Sequence, residues 1–209
     1  LLTGTLGINP TRTKNGEIVN LTYTVVNRGN KDINNLNIQI LFANTASQNI
    51  VKTLTKLYSL SIDSTITDSI LDTINMPDAQ YMVVLQAEID GQTIPLSSGG
   101  LLVDSTPPVT VPSLTNQRLV KNGVLYGTLA SRLIFNAADN LSGVAETNYT
   151  IDGTYQKYES PVSFTAEGIY HIKFKSADKL GNEELEQVVT VVIDETPPQV
   201  KITSPQEGE

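Results

Sequence analysis

The run Asp104-Ser105-Thr106-Pro107-Pro108 returns as Asp194-Glu195-Thr196-Pro197-Pro198, 90 positions later (194 − 104). Each copy follows an alternating apolar stretch, residues 101–103 in one case and 189–193 in the other. Each then presents two prolines, which cannot donate to a β-ladder. A strand therefore stops at each copy and a semi-rigid extended spacer begins. The interval suits one compact domain, so the chain reads as a piece of a modular array. Residues 200–209 read as the first strand of a further domain or a disordered tail, and the sequence opens at Leu1 rather than at Met. The expectation is a longer parent protein.

A chain of 209 residues has room for two domains of about 100 residues each. Cysteine is absent, which removes disulfides, thiolate metal sites and a cysteine nucleophile. The formal net charge of −8 argues against nucleic acid and anionic membrane as partners, because both require basic patches. An acidic surface is compatible with divalent cations. No apolar run is long enough for a membrane span, and no basic segment with an apolar core precedes the first strand.

Alternation of apolar and polar residues dominates the pattern. Val19, Leu21, Tyr23 and Val25 fall on one strand face, and Asn20, Thr22 and Thr24 on the other. Leu36, Ile38, Ile40 and Phe42 form a second set after the turn at Asn27-Arg28-Gly29-Asn30. Tyr81, Val83, Leu85, Ala87 and Ile89 form a third, ending at Asp90-Gly91, a pair suited to a tight hairpin whose partner carries Ile94 and Leu96. Residues 50–75 read as edge strands and connections. Further on, residues 133–138, 147–151, 155–159, 162–165, 169–177 and 185–193 are strand-like, and their spacing suggests a sandwich. No segment has a helical period. The fold expected is all-β: two tandem antiparallel Ig-like β-sandwiches joined by a short Pro-Pro linker. They occupy residues 1–104 and 113–198, with 105–112 as the linker and 199–209 as the start of the next domain or a tail.

Residues 4–103 resemble the cell-adhesion-related (CARDB-like) bacterial Ig-like modules. The residues that carry this are Asn9-Pro10, Gly16-Glu17 and the run from Leu21-Thr22-Tyr23-Thr24-Val25 through Val26-Asn27-Arg28-Gly29-Asn30. Residues 122–198 resemble the OmpL-type Ig-like repeats of bacterial surface proteins. That likeness rests on Ala138-Asp139-Asn140-Leu141-Ser142-Gly143-Val144, Tyr149-Thr150-Ile151-Asp152-Gly153, Tyr158, Gly168-Ile169-Tyr170-His171-Ile172 and the run Ser176-Ala177-Asp178-Lys179-Leu180-Gly181-Asn182-Glu183-Glu184. Both resemblances imply extracellular or cell-envelope arrays in bacteria, acting in adhesion, stalk building or accessory binding. Neither implies catalysis. The partners implied are other modules of the same chain and a cell-surface protein or polysaccharide.

One constellation carries chemistry. In an Ig-like sandwich the loops at Asp139 and Asp178 are expected at one pole, the one where the chain enters, and Asp104 stands directly before the linker. Asp104, Asp139, Asp178 and Asn182 are therefore the candidate ligands of an interdomain calcium ion, which takes six to eight oxygens of this kind. The competing reading is that Asp and Asn here close Asx turns and tolerate left-handed backbone. Gly143 and Gly181 are structural on either reading, and Asp194 would begin the next junction.

Other candidates are weaker. His171 is the single histidine and lacks companions for a zinc site, so it reads as structural. Glu183, Glu184 and Glu186 read as a solvated charge run. Tyr149, Tyr155, Tyr158 and Tyr170 either stack on a sugar or fill and flank a core. With 6% aromatic residues and no tryptophan, a spacer is favoured over the alternative, an accessory carbohydrate-binding module of a secreted hydrolase. The function expected is a non-catalytic structural and adhesive segment of a secreted or cell-surface protein.

Overall fold

A computed structural model describes residues 1–201, and within them every regular element is a strand. In chain order they are β1 (Leu2–Asn9), β2 (Arg12–Thr13), β3 (Ile18–Asn27), β4 (Ile33–Asn44), β5 (Ile50–Leu60), β6 (Thr65–Thr73), β7 (Ala79–Ile89) and β8 (Gln92–Val103). There follow β9 (Val109–Leu114), β10 (Leu119–Lys121), β11 (Val124–Gly127), β12 (Arg132–Ala138), β13 (Val144–Thr150), β14 (Gln156–Lys157), β15 (Val162–Ser163), β16 (Gly168–Asp178) and β17 (Gln187–Ile193). Two compact units result. The first comprises Leu1–Pro107 together with the loop segments Asp139–Gly143 and Asp178–Asn182; the second comprises Pro108–Ala138, Val144–Ala177 and the chain from Glu183.

The first unit has a three-stranded sheet ordered β1-β3-β6 and a five-stranded sheet ordered β2-β8-β7-β4-β5. Its core is the alternating set read from the sequence. Val19, Leu21, Tyr23 and Val25 of β3 are buried together with Leu36, Ile38, Ile40 and Phe42 of β4 and Tyr81, Val83, Leu85 and Ala87 of β7. Fully burying each such aliphatic side chain contributes about 1.5–3 kcal/mol, so these three strands supply most of the unit's driving force. The β7–β8 hairpin turns at Asp90-Gly91, both with positive φ (51° and 76°), and Ile89 pairs with Gln92. That is the mirror-image turn whose twist suits a tight hairpin.

Residues 50–75 supply two edge strands, β5 and β6, one from each sheet. Their seam is charged and inward-facing. Lys52 meets Asp72 at 2.6 Å, Lys56 meets Asp68 at 2.7 Å, and the Tyr58 hydroxyl donates to Asp68 while lying 2.5 Å from the Tyr23 hydroxyl. Charges turned inward along an edge discourage a foreign strand from pairing there.

The second unit has a six-stranded sheet ordered β10-β11-β17-β16-β13-β14 and a three-stranded sheet ordered β15-β12-β9. Leu133, Phe135, Phe164, Ile172, Phe174, Val189, Val191 and Ile193 form its core.

Two sequence expectations change. The sheets are not wholly antiparallel: β2 runs parallel to β8, with Arg12 opposite Leu102, and β11 runs parallel to β17, with Val124 opposite Thr190. In each unit an early segment leaves the first sheet and lies beside the last strand in the same direction, a pairing that alternation within a strand cannot reveal. The expected linker 105–112 is also shorter than read, because Val109–Leu114 is a strand laddered to β12 through Val109↔Ala138 and Pro112↔Phe135. Pro112 is tolerated because β9 is an edge strand. Of the expected further strand or tail, residues 202–209 lie outside the described residues; 199–201 belong to no strand.

Candidate functional site

Asp104, Asp139 and Asp178 come together within the first unit, each offering a carboxylate oxygen within 4.8 Å of the others. The local sequence explains each position. Asp104 follows directly on the last strand of the five-stranded sheet. Its N–H donates to Thr13 O at 3.0 Å, and its Oδ1 accepts from Thr106 N at 3.1 Å, an Asx turn that starts the proline spacer. Asp139 Oδ1 gathers the N–H groups of Leu141 (3.1 Å) and Gly143 (2.5 Å). Asp178 lies one alternation beyond Ile172, Phe174 and Ser176 on the inward side of β16, which explains its burial. Its Oδ1 accepts from Leu180 N and Asn182 N, both at 2.8 Å. Gly143 and Gly181 adopt φ of +81° and +77°, the left-handed region, as their structural role requires.

The loops are knitted by side chain as well. Ser142 N donates to Asp104 Oδ2 at 2.9 Å. Asn182 Nδ2 donates to both Asp178 Oδ2 (2.7 Å) and the Asp104 carbonyl (2.9 Å). Asn182, expected as an oxygen ligand, therefore turns its nitrogen inward, because both groups facing it are acceptors. It braces the Asp178 carboxylate and the Asp104 main chain.

Asp104 is 0% exposed and Asp178 2%, yet among the described residues no ion pair reaches any of the three acids. Burial pushes the Asp178 carboxyl up, but the hydrogen bonds from Asn182, Ser142 and Leu180 outweigh it and hold the group below its ordinary range. The three carboxylates are held close together by N–H donors and the Ser142 hydroxyl. Calcium–oxygen distances of about 2.3–2.6 Å allow two ligands of one ion to lie up to roughly 5 Å apart, so the 4.8 Å spread fits a shared cation. Asp104, Asp139 and Asp178 could offer three of the oxygens such an ion takes.

The remaining candidates separate. His171 is exposed on β16, its Nδ1 3.2 Å from Thr190 Oγ1 on the paired strand β17. Tyr149 and Tyr158 join Phe135 in an angled aromatic cluster, with Tyr149 and Tyr158 inclined at 78° and Phe135 and Tyr158 at 88°. Tyr170 packs on Phe164, and exposed Tyr155 donates to Glu186, which pushes its hydroxyl up to about 12. These rings offer no coplanar platform.

Glu184 corrects the expectation of a solvated charge run. It is 9% exposed and bonded to Thr110, Ser176 and Gln187. The signal lay in strand parity: Thr110 shares its face of β9 with Leu114, and Ser176 shares its face of β16 with Phe174, so polar groups were due inside.

No family model matches the chain, and no curated protein matches it. Among solved structures it is similar to the CARDB domain of a Pyrococcus furiosus protein in complex with di-metal ions, at 13% identity and TM-score 0.38, covering 49% of this chain and 92% of that one. It is similar to fibronectin(III)-like modules from Clostridium thermocellum, at 14% identity and TM-score 0.32 over 90% of this chain and 93% of that one. A Pseudomonas fluorescens alkylpurine DNA glycosylase bound to DNA containing an abasic site analogue aligns at 16% identity and TM-score 0.40 over 49% of this chain; the chain spans 30% of its length. At these levels no activity, ligand or partner passes from those proteins to this one.

Proposed function

We propose that the chain is a non-catalytic structural and adhesive segment of a large secreted or cell-surface bacterial protein. In this reading Asp104, Asp139 and Asp178 hold calcium, and Asn182 braces the loops that carry them. The observation behind it is the convergence of three carboxylates, two of them buried, without a cationic partner among the described residues. Calcium would remove their mutual repulsion and tie the loops 139–143 and 178–182 to the end of β8, stiffening that part of the first unit. The partners proposed are neighbouring modules of the same protein and a cell-surface protein or polysaccharide. The accessory sugar-binding alternative is disfavoured by tyrosines that pack at steep angles rather than presenting a flat face.

Thermal unfolding in millimolar calcium, in magnesium and in chelator tests the metal reading. A rise in Tm specific to calcium is the expected outcome, because a ligand of the native state alone stabilises it. Equal melting in all three would leave the acidic loops as turn chemistry.

A further inference from the structure

The group of side chains around Glu184 lies wholly within the second unit and outside the carboxylate cluster. Glu184 Oε1 accepts from Ser176 N at 2.7 Å and from the Thr110 hydroxyl. Its Oε2 accepts from Thr110 N at 3.1 Å and from the Gln187 carboxamide nitrogen at 2.8 Å. Thr110 belongs to β9 in the three-stranded sheet, and Gln187 opens β17 in the six-stranded sheet. One carboxylate thus receives a hydroxyl from one sheet and a carboxamide from the other, on adjacent oxygens.

The hydroxyls behind it are ordered by donor count. Each has one hydrogen to give. Thr110 gives its own to Glu184, so Ser176 Oγ, 2.6 Å away, donates to Thr110 Oγ1. Thr147 Oγ1, 2.7 Å from Ser176 Oγ, donates to Ser176 in turn. The line of donors runs towards the carboxylate. Thr110 is 2% exposed, Ser176 1% and Thr147 7%.

We propose that this is a self-modification site, in which Thr110 Oγ1 and the side-chain carbonyl carbon of Gln187 form an ester that staples the two sheets together. Glu184 takes the hydroxyl proton of Thr110 as Oγ1 attacks Cδ of Gln187, and the new C–O bond gives a tetrahedral centre. Protonated Glu184 then passes that proton to Nε2 of Gln187, the C–N bond breaks and ammonia leaves. Glu184 is regenerated, having only carried the proton from Oγ1 to Nε2. A hydroxyl and a carboxamide become an ester and ammonia, with no oxidant, reductant or further reactant. Ser176, as a positioning residue, stabilises the charge that develops on Oγ1. Ammonia lost to bulk solvent does not return at useful concentration, and the buried Thr110 side shields one face of the ester from water. The product would join the first strand of the unit to its last, so a pull on the chain would load a covalent bond rather than the β-ladder. This inference does not depend on the calcium reading.

Intact mass of the purified whole chain after incubation at neutral pH is the test. The expected result is a species about 17 Da below the sequence mass, the mass of ammonia, with the peptides holding Thr110 and Gln187 joined and separable by alkaline hydroxylamine. Thr110→Val and Glu184→Gln should remain at their own full masses, and Thr110→Ser, which keeps the nucleophile, should still lose ammonia. A natively folded wild-type chain at full mass would overturn the proposal. So would a loss that persists in Thr110→Val, since an asparagine elsewhere would then be its source.

Discussion

The two copies of the proline-bearing run have the same local geometry and different surroundings. Asp104 Oδ1 accepts from Thr106 N at 3.1 Å, and Asp194 Oδ1 accepts from Thr196 N at 2.9 Å. Each aspartate donates its own N–H to the short strand running parallel to the last one, Asp104 to Thr13 and Asp194 to Gly127. Each threonine hydroxyl donates to an acid just ahead of the next-to-last strand, Thr106 to Asp78 at 2.6 Å and Thr196 to Glu167 at 3.1 Å. Yet Asp104 is 0% exposed and takes a further bond from Ser142 N, whereas Asp194 is exposed. Five residues suffice to build the turn. Burial depends on what packs against the second carboxylate oxygen.

The sharpest way to break this comparison is to delete each carboxylate in turn. Asp104→Ala leaves the N–H groups of Thr106 and Ser142 without their acceptor and should cost about 3 kcal/mol of unfolding free energy, read from urea denaturation. Asp194→Ala should stay within about 0.5 kcal/mol, as exposed positions do. Equal losses would mean that the turn alone, and not burial, sets the value of the aspartate.

Calcium sharpens the same contrast. At a concentration a hundredfold above its dissociation constant, it should add roughly 2.7 kcal/mol to the wild-type chain. Asp139→Asn and Asp178→Asn should lose that response, while Asp194→Asn should keep it; isothermal titration with calcium checks both. A response surviving in Asp178→Asn would place the ion elsewhere.

A smaller effect is expected from Gly181→Ala, about 1–2 kcal/mol, because an L side chain is strained at φ +77° even with open space around it. Thermal melts of the variant read this directly.

The smallest effect is on acid stability. Asp178 sits below its ordinary range because hydrogen bonds from Asn182, Ser142 and Leu180 outweigh a larger single contribution from burial in the opposite direction. A depressed carboxyl adds stability that is complete above the unfolded-state value near ~4 and is lost as pH falls through the folded one. Unfolding free energy of wild type should therefore fall more steeply below pH ~4 than that of Asp178→Asn. Parallel curves would show that the loop does not favour the ionised form.

Much of this was legible in the residues. Strict alternation in 19–25, 36–42 and 81–89 placed the first unit's core correctly because one face of each strand is buried and a slip of one residue would expose the whole set. The acids at 104, 139 and 178 were legible as candidates because turn residues at strand ends sit where loops gather. Glu184 was misread because three acids near one another look like a surface run, and the groups that hold it inside come from positions 110 and 176, remote in sequence. The parallel pairs β2–β8 and β11–β17 were missed for the same reason.

The sequence by itself determined the all-strand character, the hairpin at Asp90-Gly91, the Asx turns before each proline pair and the two apolar cores, since each rests on side-chain period or on backbone preferences within a few residues. Tertiary structure alone decided which aspartate is buried, which way the Asn182 amide faces, and that a threonine from one sheet and a glutamine from the other bond to one glutamate. Those outcomes depend on desolvation and on donors brought from far along the chain, and no local pattern encodes either.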